Sequence, residues 1–120
     1  MARDLGWARG SDGDWIDLAD RHASEAAGCH GVYVIWRSHP DTARTEVLYV
    51  GQGFVAEEIA ARRLSPIFRG ARGLRVTWGA IDSQSADAVA AYLCARLKPI
   101  WGETPSSPDS QETVNLPFQV

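Results

Sequence analysis

The sequence of 120 residues lacks the features that mark several specialised classes of protein. It has two cysteines, Cys29 and Cys94, which are far apart and form no metal-binding motif, so we expect structural free thiols in preference to a disulfide. No apolar run approaches the ~18 residues of a membrane span, and the N-terminal segment 1–15 lacks the apolar core of a signal peptide. We therefore expect a cytoplasmic protein without a membrane partner.

The sequence also lacks an excess of positive charge, since its formal net charge is −3. That balance does not by itself indicate a nucleic-acid-binding protein, but the charges are unevenly distributed. The segment 62–75 carries five arginines and no acid, whereas acidic residues concentrate between residues 12 and 25. This separation predicts one positive face on an acidic body. The alternative is a solvated loop that follows a helix.

Length and composition indicate one globular domain. Hydrophobic residues make up 45% and charged residues 22%, close to the values of ordinary soluble domains. We predict a single domain over 1–120, with its core over about 29–101 and an extended C-terminal tail over 102–120. The tail is rich in proline and serine, and a short strand is expected at Val114.

Hydrophobic spacing and turn residues predict three helices and three strands. Helices are expected at 15–27, at 55–64 before Pro66, and over 86–98 with Ser85 as the N-cap. Strands are expected at 31–36, 46–51 and 74–81, and the first two form a hairpin. The order predicts an α+β fold: a small three-stranded antiparallel sheet with helices packed on it.

The hairpin carries a paired motif, Gly31-Val32-Tyr33 and Tyr49-Val50-Gly51. The motif and the elements that follow it resemble the GIY-YIG nuclease superfamily over most of residues 29–101. The segments "VLYVGQG", "LKPIWGE" and "VNLP" are similar to a small bacterial subgroup. The alternative is that two tyrosines in a hairpin are ordinary cross-strand packing residues.

The resemblance implies an endonuclease that hydrolyses phosphodiester bonds of nucleic acid, DNA rather than RNA, with a divalent metal. In that reading Tyr33 assists deprotonation of the attacking water, and Tyr49 and an arginine position and neutralise the phosphate. Gly51 lets the backbone and the substrate approach closely. We expect both tyrosines on one face of the hairpin, in a pocket open to solvent and flanked by guanidinium groups.

The arginine and metal positions depart from the family pattern. Counting from the motif places Glu58 or Ile59 at the arginine position and Arg62 one turn later, which predicts either a Glu58–Arg62 ion pair or a longer loop. With the longer loop, Arg62 or Arg63 supplies the charge, and we assign Arg62 as the third catalytic residue.

The position of the metal-binding glutamate holds Ala90, which cannot bind Mg²⁺ or Mn²⁺. Asp87, one turn earlier, is a weak substitute, and Glu103 is another; Asp87 is also explained as an acid favoured at a helix N-terminus. Activity requires Mg²⁺ or Mn²⁺ if it is retained.

The remaining predicted site residues are proposed to bind nucleic acid; for Gln52, completion of a turn is the alternative. They are Gly51, Gln52, Gly53, Arg63, Arg69, Arg72 and Arg75. The sequence is compatible with three functions: a GIY-YIG-type endonuclease, an inactive relative that binds nucleic acid or a protein partner, and a plain interaction module.

Overall fold

The structure, a computed structural model, describes residues 2–10, 13, 15–20, 28–39, 44–69, 73–101 and 113–118. Within these residues the chain forms six strands and two helices. They are β1 Ala2–Arg3, β2 Ile16–Asp17, β3 His30–His39, β4 Arg44–Phe54, α1 Val55–Leu64, β5 Leu74–Ala80, α2 Ser83–Leu97 and β6 Thr113–Val114. Residues 21–27 of the predicted first helix and 102–112 of the predicted tail lie outside the described part.

The main sheet has four antiparallel strands in the order β2-β5-β3-β4, so the prediction of three strands is wrong by one. The additional strand, β2, lies where the sequence predicted the start of a helix. Ile16 and Leu18 are buried whereas Asp17 between them is exposed, which is the period of a strand. Ile16 pairs with Val76 of β5, and this pairing overrides the helical spacing of the apolar residues.

The predicted hairpin is present, with strands longer than predicted. Pairing continues past Trp36 as far as His39, with Arg37 opposite Glu46, and one register shift lies between Ile35 and Trp36. On the other side, β3 pairs with β5 along most of its length, so β3 is a central strand.

The sheet buries both of its faces, and the two faces carry different helices. Val32 and Val34 point to one face, where they pack with α2 residues such as Val89. Tyr33 and Ile35 point to the other face, where they pack with α1 residues that include Ile59. We call these the α2 face and the α1 face. Because successive side chains of a strand point to opposite faces, Tyr33 lies on the other side of the sheet from the residues of α2 that pack against it.

The helix α1 has the predicted bounds, and α2 begins earlier than predicted. The N-cap of α2 is Asp82, not Ser85: its carboxylate accepts a hydrogen bond of 3.0 Å from the Ser85 backbone N–H. Aspartate is at least as good an N-cap as serine, and Asp82 lies about one helical turn before Ser85. The helix ends at Leu97, and its C-cap Lys98, directly before Pro99, has a left-handed φ of 50°.

The chain ends are joined by a second, parallel pair of strands, β1 and β6, which confirms the short strand at Val114. The Asn115 side chain accepts a hydrogen bond of 2.6 Å from the Leu5 N–H and donates one of 3.0 Å to the Leu5 carbonyl. Leu5 and Val114 are both buried in the core on the α2 face. Segments outside 29–101 therefore contribute to the core.

The segment after α2 returns to the edge of the main sheet. The Ile100 N–H donates to the Val47 carbonyl at 3.1 Å, and the Trp101 N–H donates to the Leu48 carbonyl at 2.9 Å. Trp101 thereby forms a parallel bridge with Tyr49. This contact brings the indole to the same edge as one motif tyrosine.

Cys29 and Cys94 are free thiols, as predicted. None of the described helices has the length and apolar character needed to cross a membrane.

Candidate functional site

The two motif tyrosines lie together on the α1 face, as the sequence predicted. Tyr33 lies opposite Gly51 and Tyr49 opposite Ile35, so the two phenols are diagonal neighbours on one face of the hairpin. Their rings are stacked, with centroids 5.9 Å apart and an interplanar angle of 17°. The hairpin register alone brings the pair together.

The pocket that contains Tyr33 is not open to solvent, and that part of the prediction is wrong. Tyr33 is 0% exposed, whereas Tyr49 is partly exposed. Gly51 explains how a phenol fits there: a Cβ at Gly51 would lie 2.5 Å from both Cζ and Oη of Tyr33. The absence of a side chain at Gly51 therefore leaves room for the Tyr33 ring. The resemblance implied instead that this absence lets the substrate approach the backbone.

The Tyr33 hydroxyl donates a hydrogen bond of 3.1 Å to Oε1 of Glu58 on α1. Burial is the largest cause that raises the pKa of Tyr33 above its ordinary value, and the negative charge of Glu58 adds to it. The neighbouring Arg62 acts in the opposite direction and does not compensate. The phenol is therefore neutral near pH 7, and its hydroxyl proton is directed at Glu58.

Tyr49 is bound by Arg62. Nη1 of Arg62 donates a hydrogen bond of 3.1 Å to the Tyr49 hydroxyl, and Cζ lies 5.0 Å from the centroid of the Tyr49 ring. Nε of Arg62 is buried and has no hydrogen-bond partner among the described residues. The guanidinium is thus held by one phenol, and its buried Nε–H is a donor without a partner among the described residues.

Helical spacing explains why one carboxylate and one guanidinium contact the two tyrosines. Glu58 and Arg62 are four positions apart, so they lie on the same side of α1, one turn from each other. The sequence left open an ion pair between them or a role for Arg62 at the tyrosines. In the structure Glu58 contacts Tyr33 and Arg62 contacts Tyr49, so both charged side chains are directed at the phenols.

Gln52 and Gly53, both predicted to bind nucleic acid, are directed differently with respect to this cluster. Gly53 has φ of +142°, and a Cβ there would lie 3.0 Å from Cγ of Glu58, so this glycine allows the approach of Glu58. Gln52 points to the opposite, α2 face, where its amide donates to the Asp87 carboxylate. Gln52 is thus outside the tyrosine cluster.

The carboxylate position implied by the resemblance does not fit a metal at the tyrosines. Ala90 is 1% exposed and packs in the core on the α2 face, across the sheet from Tyr33. Asp87 is exposed on the same helix and bonds to Gln52. The described residues include no group of three or more His, Cys, Asp or Glu side chains that could hold a metal ion. Glu58 is the carboxylate that contacts the cluster, and it accepts a hydrogen bond from Tyr33.

The predicted arginines are in different environments. Nε of Arg63 donates to the Leu18 carbonyl at 2.9 Å, and Nη1 of Arg75 donates to the Trp15 carbonyl at 3.3 Å, so both bind the main chain. Arg69 is exposed, and Arg72 lies outside the described residues. Of the described arginines in this stretch, Arg62 and Arg69 are therefore the candidates for contact with an anion.

Sequence reasoning missed two aromatic residues at the site, Phe68 and Trp101. The Phe68 ring meets Tyr49 edge to face with centroids 6.2 Å apart, and Trp101 meets Phe68 in the same way at 6.1 Å. Phe68 is buried, whereas Trp101 is 41% exposed. The available signal was the position of Trp101 directly after the α2 stop at Pro99, but a bridge to Tyr49 is not predictable from it.

No family model, curated protein or solved structure matches this chain. The resemblance to the GIY-YIG superfamily therefore stays a prediction, made from the paired motif and the order of elements that follows it.

Proposed function

We propose that this domain is a nucleic-acid-binding relative of the GIY-YIG nucleases, and that it contacts backbone phosphates through Arg62 and Tyr49. The observation that carries the proposal is the guanidinium of Arg62, which is held against a partly exposed phenol. Among the described residues, Arg62 has no ion pair. DNA is the proposed nucleic acid, because the resemblance implies it.

The chemistry of this pair suits a phosphodiester. A guanidinium has five donors in a planar fork, and the bond to Tyr49 uses one of them. Charge-assisted bonds to a phosphate are about twice as strong as neutral ones. Since Arg62 is only partly exposed, water and salt screen its charge less than they would on an open surface. The Tyr49 hydroxyl fixes the guanidinium and can itself donate to a phosphate oxygen.

Three features support binding without efficient hydrolysis. Tyr33 is fully buried, so an attacking water cannot contact its hydroxyl. Its raised pKa keeps the phenol protonated, and the hydroxyl already donates to Glu58. The candidate carboxylate of Asp87 lies on the opposite face of the sheet, bonded to Gln52. The phosphate-binding half of the family chemistry is therefore better supported than the half that activates water.

Endonuclease activity at the same cluster is the second candidate. It is favoured by the convergence of Glu58 with both tyrosines and Arg62, because these four groups supply a carboxylate, two phenols and a guanidinium. In this reading Arg62 neutralises the phosphate and Tyr49 orients it. Glu58 would accept the Tyr33 proton, provided that the ring becomes accessible to water.

The binding experiment measures fluorescence anisotropy of labelled duplex DNA, single-stranded DNA and RNA between 50 and 200 mM salt. For Arg62→Ala, which removes one phosphate contact, we expect weaker binding to every duplex sequence. The slope of the logarithm of the binding constant against the logarithm of the salt concentration should become smaller by ~1. The matched control is Arg96→Ala, which removes an exposed arginine from α2 on the other side of the sheet. Equal effects of the two substitutions would show that Arg62 is not a phosphate ligand.

The cleavage experiment separates the two candidates. Supercoiled plasmid is incubated with the protein in Mg²⁺, Mn²⁺ or EDTA, and nicking is followed on gels. Binding without nicking is the expected result. Metal-dependent nicking that is lost in Tyr49→Phe and in Glu58→Gln would instead establish the endonuclease.

A further inference from the structure

Trp101 is 41% exposed and is connected to the proposed phosphate site by packed aromatic rings. Trp101 reaches Tyr49 through one intermediate ring, Phe68, by two edge-to-face contacts of 6.1 and 6.2 Å. Tyr49 in turn binds Arg62. An indole and a guanidinium thus lie at two ends of one connected group of side chains on the α1 face.

Trp101 is held in place by the main chain. Its N–H bonds to the Leu48 carbonyl, and the preceding residue bonds to Val47, so the segment continues the edge of the sheet. The Trp101 ring packs against Phe68 in an edge-to-face contact, and Trp101 remains 41% exposed. An aromatic ring whose main chain is already bonded to a sheet loses less conformational freedom when a ligand stacks on it than a ring on an unbonded segment.

We propose that Trp101 stacks on an unpaired base of single-stranded nucleic acid whose phosphate is bound by Arg62 and Tyr49. This inference rests on the proposed function and names the strand state of its substrate. Proteins that bind single strands combine cationic side chains with aromatic rings, and the base–aromatic stack tolerates any sequence. In a duplex the base faces are already stacked on each other and are not available to an indole.

The spacing and the charge are consistent with one short strand. Three contacts of 5.0, 6.2 and 6.1 Å link Arg62 to Trp101 through Tyr49 and Phe68. Successive phosphates are ~3.4 Å apart along the axis of each strand of B-DNA and further apart in an extended strand, so a strand of a few nucleotides is long enough to reach both groups. Arg69, exposed and directly after Phe68, adds positive charge beside this path. These cations favour a nucleic acid over an uncharged protein segment as the ligand of the Trp101 surface.

The test compares single strands with a duplex. Anisotropy of labelled oligo-dT, oligo-U and a matched duplex is measured for the wild type, Trp101→Ala, Trp101→Phe and Arg62→Ala. Loss of one stacked base is expected to weaken single-strand binding about 5- to 150-fold in Trp101→Ala, because one stack is worth ~1–3 kcal/mol. Trp101→Phe keeps an aromatic face and should lose much less, whereas duplex affinity should be unchanged in both. The two single strands show whether DNA or RNA is preferred.

Phe54→Ala is the matched control. It removes another exposed aromatic, six residues further along β4 from Leu48 and thus ~20 Å from the Trp101 edge, and it should leave single-strand binding unchanged. The Trp101→Phe variant guards against loss of folding in Trp101→Ala.

Three results would overturn the inference. In the first, Trp101→Ala leaves single-strand affinity unchanged while Arg62→Ala weakens it, so that the proposed function survives alone. In the second, Trp101→Ala weakens single-strand and duplex binding equally. In the third, no oligonucleotide binds and Trp101→Ala abolishes a dimer seen by sedimentation velocity, which would identify an interface between copies of this chain and refute the proposed function as well.

Discussion

Gly51→Ala tests the packing of the two tyrosines directly. A Cβ at residue 51 would lie 2.5 Å from Cζ and Oη of Tyr33 and 2.7 Å from Cε1, all closer than a non-bonded contact allows. Tyr33 is fully buried and cannot move without displacing its neighbours. Overpacking of this kind costs about 2 kcal/mol. With an unfolding entropy of roughly 2.1 cal/mol/K per residue, that cost lowers Tm by about 8 °C.

The double mutant with Tyr33→Leu shows whether the cost arises from this contact. Leucine lacks the three ring atoms that the new Cβ would meet, so we expect Gly51→Ala to cost less than about 0.5 kcal/mol in the Tyr33→Leu background. The control is Gly6→Ala, where a Cβ would meet nothing within 4 Å. Urea denaturation and thermal melting measure all of these variants. If Gly51→Ala costs the same in both backgrounds, the assigned role of Gly51 is refuted.

Three further predictions concern the phenol, the chain ends and the absent carboxylate. Because the pKa of Tyr33 is raised in the fold, the free energy of unfolding should be intact below pH 10 and should fall, by up to ~1.4 kcal/mol per pH unit, as the phenol ionises in the unfolded chain. Urea unfolding between pH 9 and 11 measures this slope. Tyr33→Phe should flatten the slope, and equal slopes in the two proteins would contradict the prediction. Asn115→Ala should cost ~1 kcal/mol and speed hydrogen exchange of the Leu5 amide, whereas Asn115→Asp keeps the acceptor and should protect that amide. Ala90→Glu should destabilise the fold by ~3 kcal/mol or more and give no metal-dependent nicking, whereas the exposed Ala95→Glu should be tolerated; gain of nicking in Ala90→Glu would show that residue 90 reaches the tyrosines.

The elements with strong local signals were predictable. The paired apolar segments around Tyr33 and Tyr49 predicted a hairpin, and its register then placed the two phenols on one face. The helix α1 was predicted with its observed bounds from the spacing of its apolar residues and from Pro66, which follows it. The expectation that Gly51 and Gly53 end the strand was wrong, because both lie within β4. These predictions depended on interactions between residues that are close in sequence.

The failures depended on contacts between distant parts of the chain. Ile16 forms a strand because β5 offers an edge for pairing, and the local sequence does not report that edge. The burial of Tyr33 follows from the packing of α1 over the hairpin, and the motif alone does not indicate solvent access. The wrong expectation for the carboxylate has the same origin: counting along α2 locates Ala90 in the sequence but does not show which face of the sheet the helix covers.

The hydrogen bonds of Ile100 and Trp101 to β4 also bear on the colloidal behaviour of the protein. The strand β4 is eleven residues long and is an edge strand of the main sheet. Unpaired N–H and C=O groups on an edge strand would offer a template for pairing with a strand of another chain. The returning segment occupies the carbonyls of Val47 and Leu48 in the middle of that border. A chain truncated before Pro99 would expose this stretch, and we expect it to aggregate through β4 even where its remaining core is intact.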